Sequence, residues 1–330
     1  MSTTHRIAEI DGLRGIAALM VCLLHFNLFK YGGTGVQLFF MISGFVIYMS
    51  TVYANTFKRF WIGRFTRLYP VYLLSIVITL IFYPVNFKAI RINEIIGNLT
   101  LLQPLFRANF LIFVYWTLYI EILFYFLISI LLKFKLLAEI EKVILCLYCL
   151  IATTTIIYIL IGDSSPVYTR YFVIFRGIVQ VYSFFHLFAA GIVFYRIYHH
   201  GATRFRVLLI ILSFLMTLLL TYDTVEKTLD LTDKRIISAL IFYPAFILIV
   251  NRKAAFLNYS PLQFLGKISY ALYVIHASFG VWLRDLLLPR TGLVAAGLIS
   301  LVFTILFSYI ITRFYDEPIR AALKRYFKKA

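Results

Sequence analysis

Runs of apolar residues about as long as a membrane-crossing helix recur from one end of this sequence to the other. An α-helix needs roughly 20 mostly apolar residues to cross the hydrocarbon core of a bilayer. Because 62% of the 330 residues are hydrophobic, a soluble core could not cover this apolar surface. We predict an all-α integral membrane protein, a polytopic bundle of about ten transmembrane helices. The predicted spans are residues 12–30, 35–54, 70–86, 110–132, 142–161, 177–198, 206–222, 236–250, 264–284 and 293–314.

The basic residues indicate how these spans are oriented. The formal net charge is +18, which in a soluble protein would suggest nucleic acid. The charges form no basic tract on a soluble domain, and we expect no nucleic-acid partner. Lysine and arginine concentrate in the cytosolic loops of membrane proteins. Most of the 32 such residues fall in cytosolic segments if the N-terminus is inside. We therefore predict two cytosolic termini, with the acidic segment 223–233 outside.

The residues after the tenth span predict a different kind of helix. Asp316, Glu317 and Pro318 favour a new helix start, because proline suits the first turn behind an acidic cap. Apolar and basic residues follow at helical spacing, which is typical of a helix lying on a membrane surface. We expect a transmembrane domain over residues 1–315 and a cytosolic amphipathic helix over residues 316–330.

A few polar residues fall inside the predicted spans, where each is costly and therefore a candidate functional group. They are His25 in span one, Ser43 in span two, Glu121 in span four and His276 in span nine. With a rise of about 1.5 Å per residue, all four lie at similar depth. Arg14 precedes His25 by eleven residues, which places it about 16 Å away on the same face of one helix.

Each of these residues also has a purely structural interpretation. Arg14 could be a boundary cation whose head group reaches the membrane surface. The histidines could be hydrogen-bond partners between helices. Ser43 followed by a glycine is typical of close helix packing, and a buried Glu121 could simply pair with a cation.

A base, a carboxylate and a hydroxyl at one depth are the groups that deprotonate a substrate hydroxyl for acyl transfer. A proton-coupled transporter or flippase for a lipid-linked glycan would use the same buried histidine and carboxylate. From these residues alone, both functions remain open. No cluster shows convincing metal-ligand spacing, and we predict no metal.

Six short motifs, in order along essentially the whole chain, resemble those of the membrane acyltransferase-3 family. The first is completed by His25, eleven residues after its arginine, and the fourth has threonine where the family has serine. The motifs are DGLRGIAA at 11–18, FFMISGF at 39–45, RFTRLYP at 64–70, WTLYIE at 116–121, GKISYALYVIH at 266–276 and EP at 317–318.

The resemblance implies an O-acyltransferase, usually an O-acetyltransferase, that takes its acyl group from cytosolic acetyl-CoA. The acceptor would be a hydroxyl of an extracytoplasmic glycan such as lipopolysaccharide O-antigen. The enzyme would lie in a bacterial inner membrane, in contact with its lipids. We expect Arg14, Arg64 and Arg67 to bind the donor: Arg64 and Arg67 would hold its phosphates, because the guanidinium fork suits phosphate, and Arg14 would help it enter the helix bundle.

The same resemblance suggests roles for the residues at mid-depth. His25 is expected to act as general base on the acceptor hydroxyl, or to carry the acyl group transiently. Glu121 is expected to orient His25, and Ser43 and His276 are further catalytic candidates. The residues that we expect to contact the acceptor are Trp116, Thr117 and Tyr273.

Overall fold

A computed structural model describes residues 7–54, 56–83, 91–161, 164–221 and 233–329. Within these ranges the regular structure is helical and contains no strand. Eight of the helices described there are long and apolar enough to cross a membrane. The prediction of an all-α polytopic membrane protein is confirmed.

Fourteen α-helices are described, and two π-helical turns interrupt the C-terminal part of the chain, at His276–Gly280 and Thr312–Asp316. In chain order the helices are α1 (Ala8–His25), α2 (Gly35–Ala54), α3 (Phe57–Phe82), α4 (Ile92–Thr100), α5 (Tyr115–Lys133), α6 (Ile140–Ile161), α7 (Pro166–Ile178), α8 (Val181–His200), α9 (Arg204–Thr221), α10 (Lys234–Val250), α11 (Ser260–Ile275), α12 (Val281–Thr291), α13 (Leu293–Ile311) and α14 (Glu317–Lys329).

Each of the ten predicted spans lies mainly on one of these helices or, for span nine, on the run from α11 into α12. Two of the ten, α1 and α10, are not among the eight helices that meet the length and composition needed to cross a membrane. The reason is physical in both cases. Helix α1 carries Glu9, Asp11 and Arg14 near its start, and α10 has only 17 residues.

The largest difference from a predicted boundary is at the start of span three. Span three was placed at 70–86, but α3 begins at Phe57 and continues through Pro70. The arginines of the 64–70 motif therefore lie on a helix rather than in a loop. Proline is tolerated inside a membrane helix because neighbouring groups satisfy the backbone carbonyl that it leaves free. The apolar residues before span six form a separate helix, α7.

Parts of other expectations lie outside the described residues. These are the end of span three beyond residue 83, the last residue of span seven at 222, and the acidic segment up to residue 232. The predicted helix at 316–330 corresponds to α14, which follows the second π-turn directly.

The chain forms two compact units. The first comprises Met1–Val36, Lys58–Tyr119 and Ala255–Ala330. Within it, α1 packs most extensively against α11. Glycines allow this approach: a Cβ added at Gly15 would lie 2.7 Å from the carbonyl oxygen of Leu262. Small residues at such contacts let helix backbones come together in a membrane.

The second unit comprises Gln37–Phe57 and Ile120–Ala254. Helices α2 and α8 cross closely there, since a Cβ added at Gly44 would clash with the carbonyl of Phe188. The packing interpretation of the glycine after Ser43 is thus confirmed. At another point of this unit, Glu141 accepts hydrogen bonds of 2.8 Å from both Arg196 and Arg206.

Candidate active site

His25 and His276 lie side by side in the first unit. His25 is the last residue of α1 and is half-buried. His276 opens the first π-turn and is fully buried. Their ring centroids are 5.2 Å apart, and the ring of Phe113 lies 4.7 Å from that of His25 on another side. The two histidines predicted at similar depth are therefore neighbours, and the more accessible one is His25.

The hydrogen bond of His276 determines which of its nitrogens carries the proton. Its Nδ1 lies 2.6 Å from the backbone oxygen of Tyr273. Because a carbonyl oxygen only accepts, Nδ1 must be the donor, and in the neutral ring Nε2 then carries a lone pair. Nε2 is buried and has no hydrogen-bond partner among the described residues. The ring therefore presents an unused acceptor close to His25.

Thr117 and Tyr273 meet in the same unit. Their hydroxyl oxygens are 2.7 Å apart, and the pair is buried. The Thr117 hydroxyl also donates to the backbone oxygen of Val114, at 2.9 Å. Trp116, the preceding residue, is half-buried. Thr117 and Tyr273, two of the three residues predicted to contact an acceptor, are thus in direct contact with each other. Tyr273 lies on α11, one turn before His276.

Arg284 is a residue of this region that belongs to none of the six motifs. It donates a hydrogen bond to the backbone oxygen of His25 and pairs with Asp285. Through the first contact it holds the C-terminal end of α1, where the last carbonyls of a helix lack helical partners. In the sequence, the feature that could have indicated Arg284 is that it is adjacent to Asp285 at the end of span nine.

Glu121 and Ser43 belong to the second unit. Glu121 is half-buried on α5, and the hydroxyl of Tyr125 donates to its Oε1 at 2.6 Å. Ser43 is half-buried on α2. The pairing of Glu121 with His25 stays a prediction.

The three arginines predicted to bind a donor are all in the first unit. Arg14 pairs with Asp11 at 3.1 Å. Arg67 is half-buried and interacts electrostatically with both Arg14 and Arg64. Because α1 carries Arg14 in its first half and His25 at its end, a single helix connects the cationic region with the histidine pair, over about 16 Å.

This arrangement provides an imidazole that a substrate can reach, a second imidazole behind it and a cationic region at a distance. Such a set can bind an anionic donor at one end and remove a proton from a hydroxyl at the other. Among the described residues, no group of three or more histidine, cysteine, aspartate or glutamate side chains is placed to hold a metal ion.

The chain is similar to known acyltransferases. The model of a family described as an acyltransferase domain matches residues 7–313. ORF330 of Acidianus two-tailed virus, a provisionally assigned acetyltransferase, is 25% identical over 82% of this chain and 82% of its own length. The O-acetyltransferase OatA of Staphylococcus aureus is 26% identical over 97% of this chain.

The match to OatA covers 58% of that relative, so this chain spans little more than half of its length. The peptidoglycan O-acetyltransferase OatA of Listeria monocytogenes is 36% identical over 26% of this chain and 16% of its own length. No solved structure matches the chain significantly.

Proposed function

Because the chain belongs to the acyltransferase-3 family, whose model matches residues 7–313, we propose that this multi-pass membrane protein acetylates an extracytoplasmic glycan from cytosolic acetyl-CoA. Its relatives named as O-acetyltransferases support this activity. The observation that carries this proposal is the arrangement along α1. Arg14 lies in the first half of this helix and interacts with Arg67 of α3, and His25 lies at its end beside His276.

In the proposed reaction the donor binds with its phosphates against Arg14, Arg64 and Arg67. Its flexible arm follows α1 outward and brings the thioester to His25. The guanidinium groups supply charge-assisted hydrogen bonds that fix the donor without taking part in the chemical step.

His25 then acts as the general base. It takes the proton of an acceptor hydroxyl as the oxygen attacks the thioester carbonyl, and a C–O bond forms. The C–S bond breaks, and the departing thiolate of coenzyme A takes that proton from His25. In the alternative route His25 itself carries the acetyl group before the acceptor attacks.

An orienting group must hold the second nitrogen of His25. We keep Glu121 in this role, and its hydrogen bond from Tyr125 would fix the carboxylate. His276 is the second candidate, supported by its ring distance of 5.2 Å and its unused Nε2. The acceptor would lie against Trp116, Thr117 and Tyr273, with Ser43 as a further hydroxyl of the site.

The acceptor class is a cell-surface polysaccharide. The name of the Listeria relative supports peptidoglycan as the acceptor, and lipopolysaccharide O-antigen is the alternative. We propose the bacterial inner (cytoplasmic) membrane as the protein's location. Membrane lipids would surround the apolar helix faces.

Mass spectrometry of cell-surface glycans with and without the protein tests the proposal. We expect acetyl esters only when the protein is present. The rival hypothesis of a proton-coupled transporter or flippase for a lipid-linked glycan predicts no consumption of thioester. Release of coenzyme A by the purified protein in the presence of the glycan therefore separates the two.

A further inference from the structure

The C-terminal helix adds cations to the region of the three arginines. Arg320 lies on the first turn of α14, with its Nη1 atom 3.2 Å from Oδ2 of Asp316. Asp316 ends the second π-turn and is only 6% exposed. Its other carboxylate oxygen is buried without a hydrogen-bond partner among the described residues. Lys324 follows Arg320 by four residues and therefore lies on the same face of the helix.

One short stretch of α11 positions all the elements that carry these cations. A Cβ added at Gly266 would clash with the backbone oxygen of Asp11, so α1 lies directly against it. The Tyr270 hydroxyl donates to the backbone oxygen of Leu68 on α3, at 2.7 Å. Lys267 pairs with Glu317 at the start of α14, at 2.8 Å. Helices α1, α3 and α14 thus converge on residues 266–270.

Glu317 at the start of α14 forms ion pairs with two cations, Lys267 and Arg313. The hydrogen bond from Lys267 keeps the pKa of Glu317 below its ordinary value. Arg313 adds a second ion pair to the same carboxylate, at 3.1 Å. Glu317 is therefore engaged in fixing the helix and is not the counter-charge of Arg320.

The cations that converge are more numerous than the carboxylates among them. Arg67 interacts electrostatically with Arg14, Arg64 and Arg320, and Lys324 interacts with Arg320, Arg67 and Arg64. Among the described residues, five positive groups thus meet two carboxylates, Asp11 and Asp316. Like charges at short range repel, and the rule that cytosolic loops are basic does not require three helices to bring them together. An excess of this kind is typical of a site for a polyanion.

We propose that Arg320 and Lys324 bind the 3′-phosphate of coenzyme A, while Arg14, Arg64 and Arg67 hold its pyrophosphate. This inference rests on the proposed function, in which the donor is a coenzyme A thioester. Arg14 is on the helix that leads to His25, so the phosphates next to the donor's flexible arm belong there. The adenosine end of coenzyme A, which carries the 3′-phosphate, would then lie against α14. A phosphate monoester carries about −1.5 to −2 charge near neutral pH, which suits an arginine and a lysine together.

Equilibrium binding of coenzyme A and dephospho-coenzyme A to the purified full chain tests the proposal by calorimetry, without an acceptor. The two ligands differ only in the 3′-phosphate. We expect coenzyme A to bind roughly 10–100-fold more tightly, since a hydrogen bond to a charged group contributes about 1.5–3 kcal/mol. In Arg320→Ala most of that difference should disappear through weaker binding of coenzyme A, while the affinity for dephospho-coenzyme A stays within about twofold. Lys324→Ala should show a smaller loss of the same kind.

Arg325→Ala is the matched control, because it removes the same charge from an exposed position of the same helix. It should preserve the difference between the two ligands. If Arg320→Ala does not give a monodisperse protein, Arg320→Lys keeps the charge and the fold, and should retain part of the discrimination.

The outcomes separate the two proposals. Equal affinity of the wild-type protein for both ligands, or an equal loss for both in Arg320→Ala, would overturn the role of α14 while leaving a coenzyme A donor in place. Failure of the wild-type protein to bind either ligand would instead remove the proposed donor. The same titrations in nanodiscs with and without phosphatidylglycerol address anionic lipid. If the effect of Arg320→Ala depends on that lipid and not on the 3′-phosphate, the cations bind headgroups and the inference is wrong.

Discussion

His25 is the residue on which acetyl transfer should depend most. His25→Ala should lower glycan acetylation by about 10²–10⁴-fold, the usual cost of removing a positioned base. Protein abundance in the membrane should stay normal, because His25 is half-buried at the end of a helix. Mass spectrometry of the glycan, together with immunoblots of the membrane fraction, measures both quantities. A loss of acetylation that merely follows a loss of protein would contradict a catalytic role.

The orienting partner of His25 can be identified by combining substitutions. Residues that act as one unit have non-additive effects. We expect Glu121→Gln to lose much of the same rate factor in the wild-type background but little more in the His25→Ala background. His276→Gln provides the comparison, because the two imidazole rings are 5.2 Å apart. If His276→Gln lowers the rate of the wild-type protein but not that of His25→Ala, while Glu121→Gln lowers both, His276 is the partner and Glu121 is structural.

The donor arginines should respond to the shape of the cation as well as to its charge. Arg64→Ala and Arg67→Ala should raise the apparent KM for acetyl-CoA by roughly 10–100-fold, the cost of a charge-assisted contact. Arg→Lys at either position keeps the topology of the chain but loses the planar fork. Full activity of both lysine variants, measured in membrane vesicles with labelled acetyl-CoA, would show that these residues serve orientation alone.

Residues of this site could be predicted from the sequence where they stood out from their surroundings. His25 and His276 stood out as polar residues in apolar spans, and Thr117 and Tyr273 belong to the family-like motifs. The structure brings these residues into two contacting pairs. Arg320 lay among other basic residues of an amphipathic segment, where nothing distinguished it. Only the packing of three helices against α11 shows which of those cations face the arginines of α1 and α3.

At the scale of elements, the crossing of α1 and α11 should be sensitive to a single methyl group. A Cβ at Gly15 would lie 2.7 Å from the oxygen of Leu262 and 2.8 Å from the backbone nitrogen of Gly266. Since backbone atoms cannot move aside alone, Gly15→Ala should destabilise the protein by about 1–3 kcal/mol, as overpacking does. Transfer activity should fall as well, because α1 carries both Arg14 and His25. The thermal midpoint in detergent and the turnover of acetyl-CoA are the two measurements.

Gly63→Ala on α3 is the matched control for that substitution. A Cβ at Gly63 would meet no atom within 4 Å. Alanine in a helix is favoured over glycine by about 0.5–1 kcal/mol, so this variant should be neutral or slightly more stable. Equal destabilisation by the two substitutions would mean that the close approach of α1 and α11 does not limit stability.

The elements themselves could largely be predicted from apolar length, whereas their ends and interruptions could not. Pro70 suggested the start of a span, yet α3 begins at Phe57. A proline only removes one donor, and surrounding packing can keep the helix continuous. The π-turn at His276–Gly280 likewise has no signature in the sequence. Such turns often occur at functional sites, and here it carries one of the two imidazoles.

At the scale of the whole molecule, the proposed chemistry requires a defined orientation in the membrane. Coenzyme A thioesters are cytosolic, so the arginines of α1, α3 and α14 must face inside. The excess of basic residues in alternate loops predicts this orientation, with both termini cytosolic. The apolar pattern alone could not provide it, since hydrophobic length is the same for either direction.

Reporter fusions test the orientation at two points. A fluorescent protein joined after Ala330 should fluoresce, because it folds in the cytosol, and alkaline phosphatase at that point should be inactive. The converse is expected at Gly292, between α12 and α13, where alkaline phosphatase should be active. An external C-terminus would place Arg320 and Lys324 away from the cytosolic donor, and the proposed coenzyme A site would fail with it. An internal signal at Gly292 would mean that the run from α11 to α12 does not cross the membrane. His25 and His276 would then lie on the donor side, and transfer to an external hydroxyl would need a different base.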